Sequence, residues 1–144
     1  MAVMSGSRPF ANALELLRCA KLRPTRQRLS LARLLFEKGD RHVTAEQLHG
    51  EALNASVPVS LATVYNTLHQ FIGAGLLREV VVDPGRSYFD TNVGNHPHFF
   101  IESSGQLHDI PGDAIGAIDL PAPPPGTTIR RVDVIIRVDT ATGK

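Results

Sequence analysis

The stretch Ser60-Leu-Ala-Thr-Val-Tyr-Asn-Thr-Leu-His-Gln-Phe-Ile-Gly-Ala-Gly-Leu-Leu-Arg-Glu-Val-Val-Val-Asp-Pro-Gly-Arg-Ser-Tyr-Phe-Asp90 changes its hydrophobic period halfway along. Up to Gly75 the apolar residues recur at helical spacing. Ser60 can cap a helix that runs through Phe71 to about Gly73, with Leu61, Val64, Leu68 and Phe71 or Ile72 facing inward. After Gly75 the period is two. Leu76–Val82 and Arg86–Asp90 are β-prone runs, and Asp83-Pro84-Gly85 supplies the turn between them.

Working outward towards the N-terminus, three more helices precede this junction. The spacing of Leu14, Leu16 and Leu17 predicts a helix over Ala11–Ala20, which Pro24 separates from the next. Thr25 is placed to cap a second helix from Arg26 to about Lys38, ended by Gly39. Its apolar stripe is Leu29, Leu31, Ala32, Leu35 and Phe36, with Arg26, Arg28 and Arg33 outside it. Thr44-Ala45-Glu46-Gln47 is a capping box, and the helix it opens turns Leu48, Ala52 and Leu53 inward. Compact helices followed at once by a hairpin form the layout of a winged helix-turn-helix. The fourth helix is then the one that enters the major groove, and the hairpin is the wing.

Towards the C-terminus the chain is rich in strands. His98–Ile101 and Gln106–Ile110 make a second hairpin around Ser103-Ser104-Gly105, and Gly112–Ile118 reads as a short, poor helix. Pro121–Gly126 holds four prolines and is expected to be a stiff extended link. Thr127–Val138 alternates Ile129, Val132, Val134, Ile136 and Val138 and is expected to be a strand. So small a sheet buries too little alone, which points to a dimer sharing it.

Composition narrows the function classes. The 144 residues are 42% hydrophobic and 20% charged, enough for a core and too apolar for general disorder. No apolar run approaches the roughly 18–20 residues of a membrane helix, and Met1–Phe10 has no hydrophobic signal region, so a soluble, cytoplasmic protein is expected. The single Cys19 excludes an intramolecular disulfide and a Cys-rich zinc site. Charge is uneven: between Arg18 and Arg41 eight basic side chains face two acidic ones, while residues 81–144 carry five basic and eight acidic. A basic first half fits a nucleic-acid contact, or else a solvated helix face.

Three ordered stretches, Leu22-Arg-Pro-Thr-Arg-Gln-Arg28, His42-Val-Thr-Ala-Glu-Gln-Leu48 and Ser60-Leu-Ala-Thr-Val-Tyr-Asn-Thr-Leu68, resemble the ferric uptake regulator family. Tyr88-Phe-Asp-Thr-Asn92, His96-Pro-His-Phe-Phe100 and Arg131-Val-Asp-Val-Ile-Ile-Arg137 look most like its iron response regulator branch. The resemblance covers about residues 10–138. It implies an α+β chain: a winged-helix DNA-binding domain over 1–84, its wing extending to about 91, then an α/β dimerisation and metal-sensing domain over 92–144. It also implies a homodimeric repressor of iron or haem homeostasis that binds double-stranded DNA at an AT-rich inverted repeat. Where most relatives have Cys-x-x-Cys, this chain has Ile101-Glu102-Ser103-Ser104, so the family's structural zinc site is expected to be absent.

His96 and His98 stand two apart, on one face of a strand, so both imidazoles can reach one ion. Asp90 closes the preceding strand, and His42 lies at the entry to the third helix. By resemblance these four match the family's regulatory metal site, and Asp109 matches a further carboxylate ligand. Imidazole with carboxylate suits Fe(II), Mn(II), Zn(II) or Co(II) without choosing among them. Iron response regulators are linked with haem, and His96 and His98 are the expected axial ligands here. The bland reading makes these ordinary surface histidines. His108 is expected to be a satisfied strand histidine, His49 solvated, His69 at most a phosphate contact, and Cys19 a core residue.

On the fourth helix Ser60 and Thr63 can donate to phosphate, Tyr65 offers a ring to thymine methyls, and Asn66 can pair with an adenine edge. Tyr65 is otherwise a partly buried packing residue. Arg23, Thr25 and Arg28 match family residues that approach the backbone or a narrow AT-rich minor groove. A different class of reading takes His96, His98 and Glu102 as part of a metal-dependent enzyme of cupin type, but too few strands follow the helices for such a barrel. Within the family, sensing of zinc, manganese or peroxide is the alternative.

Overall fold

α1 (Ala13–Cys19) buries Ala13 and Leu17, four residues and so about one helical turn apart, and packs half-buried Leu16 against the same core. The computed structural model describes residues 13–94, 96–111 and 119–140; the expected start of this helix at Ala11 and the expected helix over Gly112–Ile118 lie outside them. Cys19 is exposed rather than buried. It stands two residues beyond Leu17, about 200° round the helix and away from the core.

Three longer helices follow, and each begins where a hydroxyl takes up an otherwise orphaned backbone amide. Thr25 caps α2 (Arg26–Phe36) by accepting from the Arg28 amide at 3.2 Å. At α3 (Ala45–Asn54) the box is reciprocal: Thr44 accepts from the Gln47 amide at 3.0 Å, and the Gln47 side chain accepts from the Thr44 amide at 2.8 Å. Ser60 caps α4 (Leu61–Gly73) by accepting from the Thr63 amide at 3.1 Å. α4 ends in a Schellman-type closure, with the Gly75 amide donating to Ile72 and the Leu76 amide to Phe71. That closure needs positive φ at Gly75, which is +81°, and it releases the chain into the strands.

The first core is built by Leu17, Leu31, Leu35, Phe36, Leu48, Val64, Leu68, Phe71 and Phe89, each at most 1% exposed. Each such side chain contributes about 1.5–3 kcal/mol by leaving water. One inward assignment does not hold. Leu53 is 54% exposed, because α3 already commits Ala45, Leu48 and Ala52 to the core and Leu53 falls off their stripe. On α4 the expected inward face holds, with Val64, Leu68 and Phe71 buried and Leu61 and Ile72 half-buried against the core, and Thr67 is buried beside them.

The wing strands are β2 (Arg78–Asp83) and β3 (Arg86–Asp90), but the sheet has a third member, β1 (His42–Val43), in the order β1-β3-β2. All pairing is antiparallel, and it sets His42 opposite Asp90. Two residues are too few to show a period, so β1 had no signature in the sequence.

The chain divides into two compact units, Met1–Val93 and Gly94–Lys144. The second is built on β4 (His98–Ile101), β5 (Gln106–Asp109) and β6 (Ile135–Val138), in the order β5-β4-β6. β5 is antiparallel and β6 parallel to β4. The strand expected over Thr127–Val138 forms only at its end. A β-prone run becomes a strand only alongside a partner, and β4 offers four residues to pair with. The proline run is exposed and leads into a turn at Gly126.

Candidate metal centre and nucleic-acid interface

In the first unit the ladder between β1 and β3 brings His42 against Asp90, with Nε2 3.1 Å from Oδ2. The Asp90 side chain is wholly buried and that of His42 is 16% exposed. A carboxylate so deep in the protein needs partners. Its other oxygen accepts from the Asn92 amide at 2.9 Å. The neighbours hold this corner rigid: Thr91 accepts from the Arg41 amide at 2.8 Å and donates to Asp40 at 3.2 Å. Arg41 in turn grips Glu51 of α3 through two contacts at 2.9 and 2.5 Å and donates to the Leu34 carbonyl of α2 at 2.9 Å. The Arg41 guanidinium, through these hydrogen bonds first, holds the Glu51 carboxyl below its ordinary value of 4.5.

In the second unit the register sets His98 directly opposite Asp109. His98 is buried, and its Nε2 lies 3.3 Å from Asp109 Oδ1; His96 Nε2 lies 2.9 Å from the same oxygen. The two imidazole rings are 4.4 Å apart between centroids. His96 Nδ1 sits 2.6 Å from the Gly94 carbonyl, which can only accept, and this contact turns Nε2 towards Asp109. The ligand atoms of His96, His98 and Asp109 lie within 4.8 Å of one another. Two imidazole nitrogens sharing one carboxylate oxygen are satisfied by protons or by one cation, and the donor set fits a divalent metal of intermediate softness.

The haem expectation on His96 and His98 gains nothing here, since both nitrogens converge on a space the width of an ion, not of a macrocycle. Glu102, the third member of the cupin-like set, is exposed and accepts from Arg137 at 2.8 Å instead. Of the other histidines, His108 is exposed beside Gln106 at 3.3 Å, and His69 is exposed, its ring edge-on to Phe89. His49 is half-buried with Nε2 3.0 Å from the Val59 carbonyl, not solvated, because α3 packs against the turn into α4.

On α4 the residues opposite the core form an exposed stripe of Ala62, Tyr65, Asn66, His69 and Gln70 at helical spacing. Ser60 and Thr63 lie at its start, where the Ser60 hydroxyl also donates to Thr63 Oγ1 at 3.0 Å. Tyr65 is 38% exposed, and its hydroxyl donates to Glu46 of α3 at 2.9 Å. That hydrogen bond chiefly, with some desolvation, raises the phenol above its ordinary value of 10.0. No spacing rule could have paired residues 19 apart on two helices. Arg23 is exposed in the turn before α2, with its carbonyl tied to the Thr25 amide and to Arg28 Nη1, both at 2.9 Å. Thr25 is engaged as a cap, and Arg28 also donates from Nε to Gln70 of α4 at 3.0 Å, so its side chain braces the turn against the helix.

A model of the "Ferric uptake regulator family" matches residues 19–124. The chain is 33% identical over 102 residues to the "Ferric uptake regulation protein" of Shigella flexneri, covering 70% of this chain and 69% of that protein. It is 36% identical over 95 residues to the "Peroxide-responsive repressor PerR" of Staphylococcus aureus, covering 65% of this chain and 63% of that protein. The match thus spans a little under two thirds of that repressor's length. Among solved structures, the ferric uptake regulator from Pseudomonas aeruginosa with manganese superposes with a TM-score of 0.66 at 23% identity, over 91% of this chain and 99% of that one. The Vibrio cholerae regulator gives 0.68 at 21% identity, over 88% and 98%. At such identities the structural likeness speaks for the fold.

Proposed function

The chain belongs to the ferric uptake regulator family, whose members are transcription regulators and not enzymes, and from this we propose a homodimeric, metal-responsive repressor of the iron response regulator type. It places α4 of each subunit in one half of an AT-rich inverted repeat. The observation that carries the reading is the presence of two partial ligand sets. Half-buried His42 meets buried Asp90 at the end of the wing sheet, and His96, His98 and Asp109 gather on the second sheet.

Each set alone is short of donors for a tightly held transition metal. By their resemblance to the family's regulatory site these residues are the ligands, and imidazole with carboxylate suits Fe(II), Mn(II) or Zn(II). A divalent cation at the second set supplies the charge that lets two imidazole nitrogens gather on one carboxylate oxygen. Metal occupancy at these residues is the switch that changes the presentation of α4 to DNA. The exposed stripe with Tyr65 and Asn66 supplies contacts to base edges, and Ser60, Thr63, Arg23 and the turn held by Thr25 and Arg28 lie where phosphates pass. Homodimerisation uses the second sheet, whose outer face carries exposed Phe99 and Ile136 side by side.

The assignment to iron rests on the stretches around Tyr88, His96 and Arg131, and haem remains a ligand to be tested at His96 and His98. A second reading, peroxide, manganese or zinc sensing, is favoured by the identity to the peroxide-responsive repressor. The test is elemental analysis of the purified chain, followed by DNA binding with a chelator, Fe(II), Mn(II), Zn(II) or haemin. Metal is expected to change affinity about tenfold or more, and Asp90→Ala or His98→Ala to abolish that dependence. DNA binding that ignores both chelator and metal would reject the reading. A response to peroxide only when Fe(II)-loaded would favour the second.

A further inference from the structure

The contact between Tyr65 and Glu46 has no part in the cap, the core or the ligand sets. Glu46 is exposed in the first turn of α3, where the capping box needs only Thr44 and Gln47. Tyr65 stands on the exposed stripe of α4. The 2.9 Å hydrogen bond joining them has a charged acceptor and crosses from one helix to the other. An exposed tyrosine is free to swing about χ1, and fixing its hydroxyl fixes that torsion and the direction in which the ring lies. The surroundings of the hydroxyl are also informative. Tyr65 forms one wall of a cleft lined by Thr44, Glu46, Glu79, Arg86 and Ser87. Of its charged residues, Arg86 is bridged to Asp83, while Glu46 and Glu79 are carboxylates. A phosphate is repelled from that wall.

We propose that Glu46 is a positioning residue for sequence reading, taking the Tyr65 hydroxyl so that the ring is held in one direction along the face of α4 that meets the bases. Tyr65 then discriminates by contact with thymine methyls and contributes nothing to phosphate binding. The inference rests on the reading above that α4 enters the groove.

The experiment uses the full chain, in excess Mn(II) and in chelator, taking whichever condition binds more tightly. Duplexes selected by the wild type from a randomised pool are compared with scrambled duplexes over a range of salt. Glu46→Ala is expected to lower the selected-to-scrambled affinity ratio about tenfold, with the salt slope unchanged. Glu46→Gln, which keeps an acceptor, should stay within about threefold of the wild type. Tyr65→Phe should fall as far as Glu46→Ala, and the double variant no further, because the two changes remove one interaction. Thermal midpoints report that each variant is folded.

An unchanged ratio in Glu46→Ala overturns the proposal. So does a Tyr65→Phe variant that binds all duplexes more weakly with a slope reduced by about one, since the hydroxyl is then a phosphate contact. If the wild type selects no duplex, the DNA reading falls and the inference with it. If Tyr65→Ala loses selection while Glu46→Ala keeps it, only the positioning role is lost.

Discussion

In the first unit Leu17, Leu31, Leu35, Leu48, Val64, Leu68 and Phe71 are wholly buried by one another, whereas in the second Phe99, Leu120, Ile129 and Ile136 stand at least 36% exposed. Among the described residues of the second unit, the buried hydrophobics are Phe100, Leu107 and Ile110. The first unit therefore meets its burial requirement within its own helices and wing. The second leaves Phe99 and Ile136, neighbours in the β4–β6 register, on one open face of its sheet. Three strands with one apolar face still in water are a poor bargain alone and a good one when a second copy covers them.

Three substitutions sharpen or break this contrast. The largest effect is expected from Phe71→Ala, which empties the centre of the first core beside Phe36. A loss of about 3–5 kcal/mol should be seen in urea unfolding of the whole chain. A loss under about 1 kcal/mol would show that this core is not what holds the unit. Next comes the paired change Phe99→Asp and Ile136→Asp. In sedimentation it should raise the dimer dissociation constant about a hundredfold, near 2.7 kcal/mol, while helix content stays constant. Dimers that persist undiminished would remove this face from the interface.

The smallest effect is that of Glu51→Gln, at about 1 kcal/mol near neutral pH, because the Arg41 bridge is only partly buried. Here the sign is fixed by the lowered carboxyl. The bridge contributes fully above the ordinary value of 4.5 and is lost as pH falls through the lowered one. The wild type should thus lose stability faster than Glu51→Gln as it is acidified. Parallel acid limbs would show that the bridge contributes nothing.

The contrast also separates what was legible from what was not. The caps at Thr25, Thr44 and Ser60 each formed as the sequence suggested, since an orphan amide is satisfied by a hydroxyl three residues away. The wing hairpin followed from its turn residues for the same local reason. The placing of His98 opposite Asp109 depended on a hairpin short enough to fix its own register. Cys19, Leu53 and His49 were misjudged because apolar or polar character says nothing about which face of a short helix meets a neighbour. The run over Thr127–Val138 was misjudged because strand propensity does not say how long its partner is.

Local chemistry along the chain was thus enough to lay down the order of helices and strands, the family and the residue types able to bind a cation, because caps, turns and hydrophobic periods act over three or four residues. The β1 strand that seats His42 against buried Asp90, the Arg41–Glu51 grip and the Tyr65–Glu46 contact emerged only on folding. Each joins residues distant in sequence, and nothing in the spacing of such residues encodes the packing that brings them within hydrogen-bond reach.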